Sequence, residues 1–198
     1  GAYPRPEAGK EYSSTNEYHS IYYHKLGTDQ SQDKLVFRDD KNPLHFHYVD
    51  VPEDESMLIL YVSGQGLGNA VKVKDLKTQG AQWLTIEPSQ DYEISVLDII
   101  DGTMYISTNY GAPRYRLMTA SIKAPQRDNW KELIPEGEGV LSGVNFADDQ
   151  LILTYNIDAS SRPFVYTREG KLVREMQLPT YGSTSISSSK KHNEVFYA

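Results

Sequence analysis

The residues with the types and spacing for chemistry are few. His45-Phe46-His47 sets two imidazoles at i and i+2. In a strand both would leave one face, which is the start of a metal site. Asp50, His19 and His24 are further donors, but spacing places none of them as a third ligand. Gly64-Gln65-Gly66-Leu67-Gly68 has the glycine content of a phosphate cradle. Such a cradle needs a helix N-terminus next, to aim N–H groups at the phosphate. The sequel Asn69-Ala-Val-Lys-Val-Lys74 reads as a strand, so a flexible hairpin loop is expected. Ser187-Ser188-Ser189 before Lys190-Lys191 gives Ser-x-x-Lys spacing inside a serine-rich turn, with no partner motif. The Gly-x-Ser-x-Gly elbow that exposes a nucleophile is absent. Glu136/Glu138 and Asp148/Asp149 fall in hydrophilic turns and read as solvated charge. With no cysteine, thiolate nucleophiles, disulfides and Cys-ligated zinc are excluded. The chain is expected to hold no complete catalytic centre, no resident metal and no cofactor.

The elements that would position these residues are strands. Tyr is abundant, 15 of 198 residues against 5 Phe and 2 Trp, and aromatic residues favour half-buried pleated surfaces. Short apolar runs such as Lys34-Leu-Val-Phe37, His47-Tyr-Val-Asp-Val51 and Met57-Leu-Ile-Leu-Tyr-Val62 are separated by Asp, Asn, Gly and Pro. Ser20-Ile-Tyr-Tyr-His-Lys-Leu26 reads as another strand. The best helix candidate, residues 91–100, alternates Tyr92/Ile94/Val96 and suits a strand better. A net charge of -7 and a pI near 5.2 argue against a nucleic-acid partner, which needs a basic face. No run approaches the roughly 18 apolar residues of a membrane helix. The lack of cysteine fits a cytoplasmic and a periplasmic location alike. The start at Gly1-Ala2-Tyr3 and the end inside a strand-like run point to an excised fragment, made by expression or by proteolysis.

The larger pattern is a repeat. The turns at Asp54, Asp101, Asp148 and Lys191 are spaced 47, 47 and 43 residues apart. Each follows one strand and precedes another, and the first three have a further strand beyond, at about 70–74, 115–122 and 164–167. A period of about 40–50 residues with about four strands per unit is the signature of a propeller blade. The expected fold is all-β, with antiparallel four-stranded blades: about three complete ones and a partial one at each end. Blade-like units fall at about 1–42, 43–90, 91–136, 137–180 and 181–198. Such an open series leaves strand edges that favour edge-to-edge self-association. These features alone imply a binding or scaffold role, that of a stand-alone propeller offering a protein-interaction platform.

Residues 14–33, with the core Tyr23-His24-x-Leu26-Gly27-Thr28-x-Gln30-Ser31-x-Asp33, resemble the prolyl oligopeptidase family of serine peptidases. Thr108-Asn109-x-x-x-Pro113-Arg114-Tyr115-Arg116-Leu117 and Trp130-Lys131-x-Leu133-Ile134-Pro135-Glu136 are similar to later segments of the same family, in the same order. The resemblance implies the middle of a seven-bladed propeller that covers an α/β-hydrolase domain and admits only short, unfolded peptides. The parent enzyme would cleave such peptides after proline, with its Ser, Asp and His on the hydrolase domain, outside this segment. The resemblance assigns no catalytic residue here. It implies that Phe46 lines the substrate's non-primed side and that Ser13, Ser14, Thr15 and Asn16 form a mobile loop at the interdomain cleft. Where some relatives place Arg and Cys near substrate, this chain has Ser63 and Gly66. The implied partners are proline-containing peptides and the hydrolase domain of the same chain.

Overall fold

The computed structural model describes residues 1–64 and 66–198. Its described residues form sixteen strands and two single-turn 3-10 segments. β1 (Ile21–Tyr23) and β2 (Lys34–Phe37) form a two-stranded sheet. β3 (Phe46–Asp50), β4 (Met57–Ser63), β5 (Ala70–Asp75) and β6 (Leu84–Glu87) form a four-stranded sheet in chain order. β7 (Ile94–Ile100), β8 (Thr103–Thr108), β9 (Arg116–Ser121) and β10 (Lys131–Ile134) form a second. β11 (Val140–Ala147), β12 (Gln150–Ile157), β13 (Ser160–Thr167) and β14 (Leu172–Glu175) form a third. β15 (Ile186–Ser188) and β16 (Val195–Tyr197) pair at the end. The registered neighbours are antiparallel, so each sheet is a meander in chain order. Contacts divide the chain into two compact units, 1–94 and 95–198.

The repeating turn has a conformational cause. Glu55, Asp101 and Asp148 adopt φ of 51°, 50° and 48°. Asp tolerates this left-handed region through its short side chain; at the first turn Glu55 is instead spanned by Asp54, which accepts from the Ser56 N–H at 3.0 Å. Asp101 is followed by Gly102 at φ 73°, which makes the two-residue turn between β7 and β8.

The second strand of each four-stranded sheet explains the layered packing. Alternate side chains of a strand leave opposite faces. In β12, Leu151, Leu153 and Tyr155 pack with Tyr105, Leu117, Ile134 and Leu141, which joins the second sheet to the third. Ile152 leaves the other face and joins Ala147 and Val165, with Ile186 and Val195 of the last sheet packed against them. Leu60 and Val62 of β4 likewise meet Ile21, Val36 and Phe37 of the first sheet. These strands read as continuous apolar runs because both faces are covered. Among the described residues there is no α-helix, and no helix is long and apolar enough to cross a membrane.

Several sequence expectations shift in detail. The strand expected from Ser20 ends at Tyr23. The next residues close the β1–β2 connection: the Lys25 carbonyl accepts from the Thr28 N–H at 3.1 Å and from the Thr28 hydroxyl at 2.6 Å. Asp29 accepts from the Ser31 N–H at 2.8 Å, and His24 Nδ1 lies 2.6 Å from Asp33. The loop around Gly68 is held to the chain ahead of it, where flexibility was expected. The Gly68 N–H donates to the Gln90 carbonyl at 2.8 Å, and the Asn69 N–H to the Tyr92 carbonyl at 3.0 Å. Gln65 lies outside the described residues.

Candidate functional site

The free edge of β3 is where the sequence-predicted site residues gather. β3 is the outermost strand of its sheet, so one side of its backbone lacks a strand partner. Residues 18–20 cover that side. The Tyr18 N–H donates to the Pro43 carbonyl at 2.7 Å. The His47 N–H donates to His19 Nδ1 at 3.2 Å, and His47 Nδ1 lies 2.7 Å from the His19 carbonyl. The turn that brings the chain there costs strain, since Tyr18 sits at φ 58°, a region a bulky residue rarely enters. The Arg38 guanidinium lies over its ring, 4.9 Å from the centroid.

Phe46 opens β3 opposite Ser63. It is 48% exposed although its ring stacks on His19 at 4.4 Å and 25°. Tyr3 meets the same imidazole edge-on at 4.8 Å. The result is an accessible aromatic face on a rigid edge, suited to an apolar ring or a peptide plane. Ser13, Ser14, Thr15 and Asn16 are all exposed. The bonds at Ser13 and Ser14 are local, both N–H groups donating to the Lys10 carbonyl. The segment leads directly into Tyr18 and His19, so its far end is fixed against β3.

His47, the residue after Phe46, is buried, and its ring lies 5.0 Å from Phe37 and 6.0 Å from His19. Burial holds its imidazole below the ordinary histidine range, as it does that of His19, where the neighbouring His47 adds to the effect. The third donor near His45 and His47 is Asp39, from the β2–β3 connection; its ligand atoms and theirs lie within 4.8 Å of one another. Asp39 accepts from the Lys41 N–H at 3.0 Å and from Asn42 Nδ2 at 2.9 Å. Burial raises its pKa, but these bonds and His45 outweigh that and hold it below the ordinary range. The sequence held Asp50, His19 and His24 as further donors and placed none of them as the third ligand. His24 is taken by Asp33, and His19 accepts from the backbone of β3. Nothing in the sequence short of the bend at residues 38–42 signals Asp39.

The remaining motifs have structural partners. Ser188 donates to the Phe146 carbonyl at 2.8 Å, and Lys190 pairs with Asp98 at 2.7 Å. Lys190 is thus a bound cation and leaves the Ser-x-x-Lys spacing without a free base. Gly68 is followed by β5, and among the described residues no helix starts there. Glu136 accepts from the Arg114 N–H at 2.6 Å and from its guanidinium at 3.2 Å. These contacts, the backbone one foremost, depress the Glu136 pKa. Residue 114 lies in one family-like segment and residue 136 in the next, so the pair ties the two motifs together.

Stacked four-stranded antiparallel meanders with an aromatic edge define a propeller-type β domain. The model of the prolyl oligopeptidase N-terminal beta-propeller domain matches residues 1–198, and the chain belongs to that family. It is 32% identical over 198 residues to a prolyl endopeptidase of Elizabethkingia meningoseptica, covering 100% of this chain and 28% of that protein. Prolyl oligopeptidase A of Galerina marginata is 27% identical, over 89% of this chain and 24% of that one. Among solved structures, prolyl oligopeptidase B of Galerina marginata bound to a 35mer hydrolysis and macrocyclization substrate superposes with a TM-score of 0.86. The identity there is 24%, covering 98% of this chain and 27% of that one. The chain therefore spans little more than a quarter of these relatives' length.

Proposed function

We propose that this chain is the substrate-gating propeller of a proline-specific serine oligopeptidase, which cleaves short peptides after proline by acyl transfer. The observation that carries the reading is the family match across all 198 residues, together with prolyl endopeptidase relatives at 32% and 31% identity. In this reading the Ser, Asp and His of the catalytic triad stand on an α/β-hydrolase domain of the same protein. The propeller contributes no reacting group. Its sheets, at about 1–42, 43–90, 91–136, 137–180 and 181–198, act as successive blades of a channel wall. The aromatic faces at Tyr22, Tyr23, Phe196 and Tyr197, half or more exposed except for Tyr22 at 45%, belong against neighbouring blades. Without such neighbours they are the surfaces through which copies of this chain would associate.

Phe46 is the proposed apolar contact for the residues preceding the scissile proline, and residues 13–16 the proposed loop at the interdomain cleft. The test is the enzyme that carries this propeller, assayed on a blocked Gly-Pro chromogenic amide. Cleavage after proline is expected. Phe46→Ala is expected to raise KM about tenfold, the loss of most of a buried aromatic contact, while kcat stays nearly unchanged because the contact serves ground state and transition state alike. An inactive parent enzyme would overturn the proposal; an unchanged KM would remove Phe46 from the site.

A further inference from the structure

The buried imidazoles behind β3 carry an inference separate from peptide cleavage. His47 is 2% exposed and His45 7%. His47 Nδ1 faces the His19 carbonyl at 2.7 Å. A carbonyl only accepts, so Nδ1 carries the proton and donates, and Nε2 keeps its lone pair. That Nε2 is buried with no hydrogen-bond partner, and so is Nδ1 of His45. Two orphaned imidazole nitrogens in one pocket are costly unless something fills the space between them. Opposite them stands a carboxylate, with Asp39 Oδ2 3.7 Å from His45 Nδ1. That separation is too long for a hydrogen bond.

We propose that Asp39, His45 and His47 form a binding site for a divalent transition metal, Zn²⁺ being the ion their donor set suits best. Two neutral imidazoles and a carboxylate are a common zinc set, with water in the fourth position. The supporting contacts have the pattern of a metal site. A ligating histidine donates its other N–H to a carbonyl or carboxylate, as His47 does to His19. His45 Nε2 lies 3.5 Å from Nε2 of the Gln90 side chain. A primary amide can turn its oxygen to the same place; with the oxygen there, His45 Nε2–H donates and Nδ1 remains a ligand. Asp39 is held by the Lys41 N–H and by Asn42, and the Asn42 carbonyl accepts from the His45 N–H at 3.1 Å. Ligand bonds of about 2.0–2.2 Å require the three donors, now within 4.8 Å of one another, to close by about an ångström. An ion so held clamps the β2–β3 connection to β3 on both sides of Phe46.

The test is titration of Zn²⁺ alone into the 198-residue chain after treatment with chelator, followed by calorimetry. One saturable site is expected. Asp39→Asn lies in a partly exposed turn, and it is expected to weaken the site at least as much as loss of an outer-shell partner does elsewhere, on the order of 10- to 100-fold. His24→Gln and His192→Gln are expected to leave binding unchanged. Absence of saturable binding, binding indifferent to Asp39→Asn, or binding lost with His24→Gln would each overturn the proposal. His47→Gln removes a buried ring that is bonded to the His19 carbonyl, so nitrogen-15 histidine spectra of the unaltered chain provide the second readout. Zn²⁺ should shift His45 Nδ1 and His47 Nε2, and unmoved resonances at saturating ion contradict the site.

Discussion

Leu153→Ala is expected to cost about 2–5 kcal/mol of unfolding free energy, the usual range for a leucine truncated in a closed core. Leu153 is at the middle of β12, paired to Val144 on one side and Phe164 on the other, and is fully buried. It packs in the cluster that joins the second and third sheets, among Tyr105, Leu117 and Tyr155. Tyr155 itself is buried deeply enough that its hydroxyl is pushed well above the ordinary tyrosine range, by burial first and by Tyr166 second. Because neighbours on both sheets are fixed by their own ladders, the space left by the side chain cannot collapse. Denaturant midpoints of the two proteins measure the effect. Leu172→Ala, on the exposed outer strand β14 at 52% exposure, is the matched control, with an effect within about 0.5 kcal/mol. A Leu153→Ala cost below about 1 kcal/mol would mean that the two sheets do not share a core.

Gly68→Ala is expected to cost about 1–3 kcal/mol or more, as overpacking does in a rigid site. A Cβ at residue 68 would collide with the Tyr92 carbonyl and the Glu93 nitrogen, which are backbone atoms. Retreat is blocked, because Asn69 Nδ2 donates to the Ile94 carbonyl at 2.9 Å and Asn69 Oδ1 accepts from the Ile94 N–H at 3.2 Å. The contrast is Gly143→Ala, where the new atom would lie 3.8 Å from Thr154 Cβ, an ordinary contact. Thermal unfolding of both variants separates the cases. Equal behaviour would show that the loop yields at Gly68.

The strands and turns were legible because their signals are local. Central strands such as Met57–Ser63 announce themselves as apolar runs, and the acidic turns at 47-residue spacing mark the repeat. The fourth strand of each sheet was harder to see. Leu84–Glu87, Lys131–Ile134 and Leu172–Glu175 are four residues each, and all three pair through a register shift next to polar, half-exposed positions. No strict alternation survives in such pieces. The site was legible only in part. Phe46 and the two histidines were visible as a triplet, but Asp39 joins them through the bend at residues 38–42, and residues 18–20 reach β3 through the left-handed turn at Tyr18. The glycines of the 64–68 loop signalled freedom in the sequence and serve close backbone approach in the fold.

Selection of substrates by size is the role proposed for these blades. Its most direct test compares cleavage after the same Gly-Pro sequence in a short peptide and in a long, unfolded protein, using the enzyme that carries this propeller. The short peptide is expected to be cut readily and the long chain to resist, with kcat/KM falling steeply as length increases. Equal kcat/KM for both would contradict the gating role, whatever the chemistry of the active site.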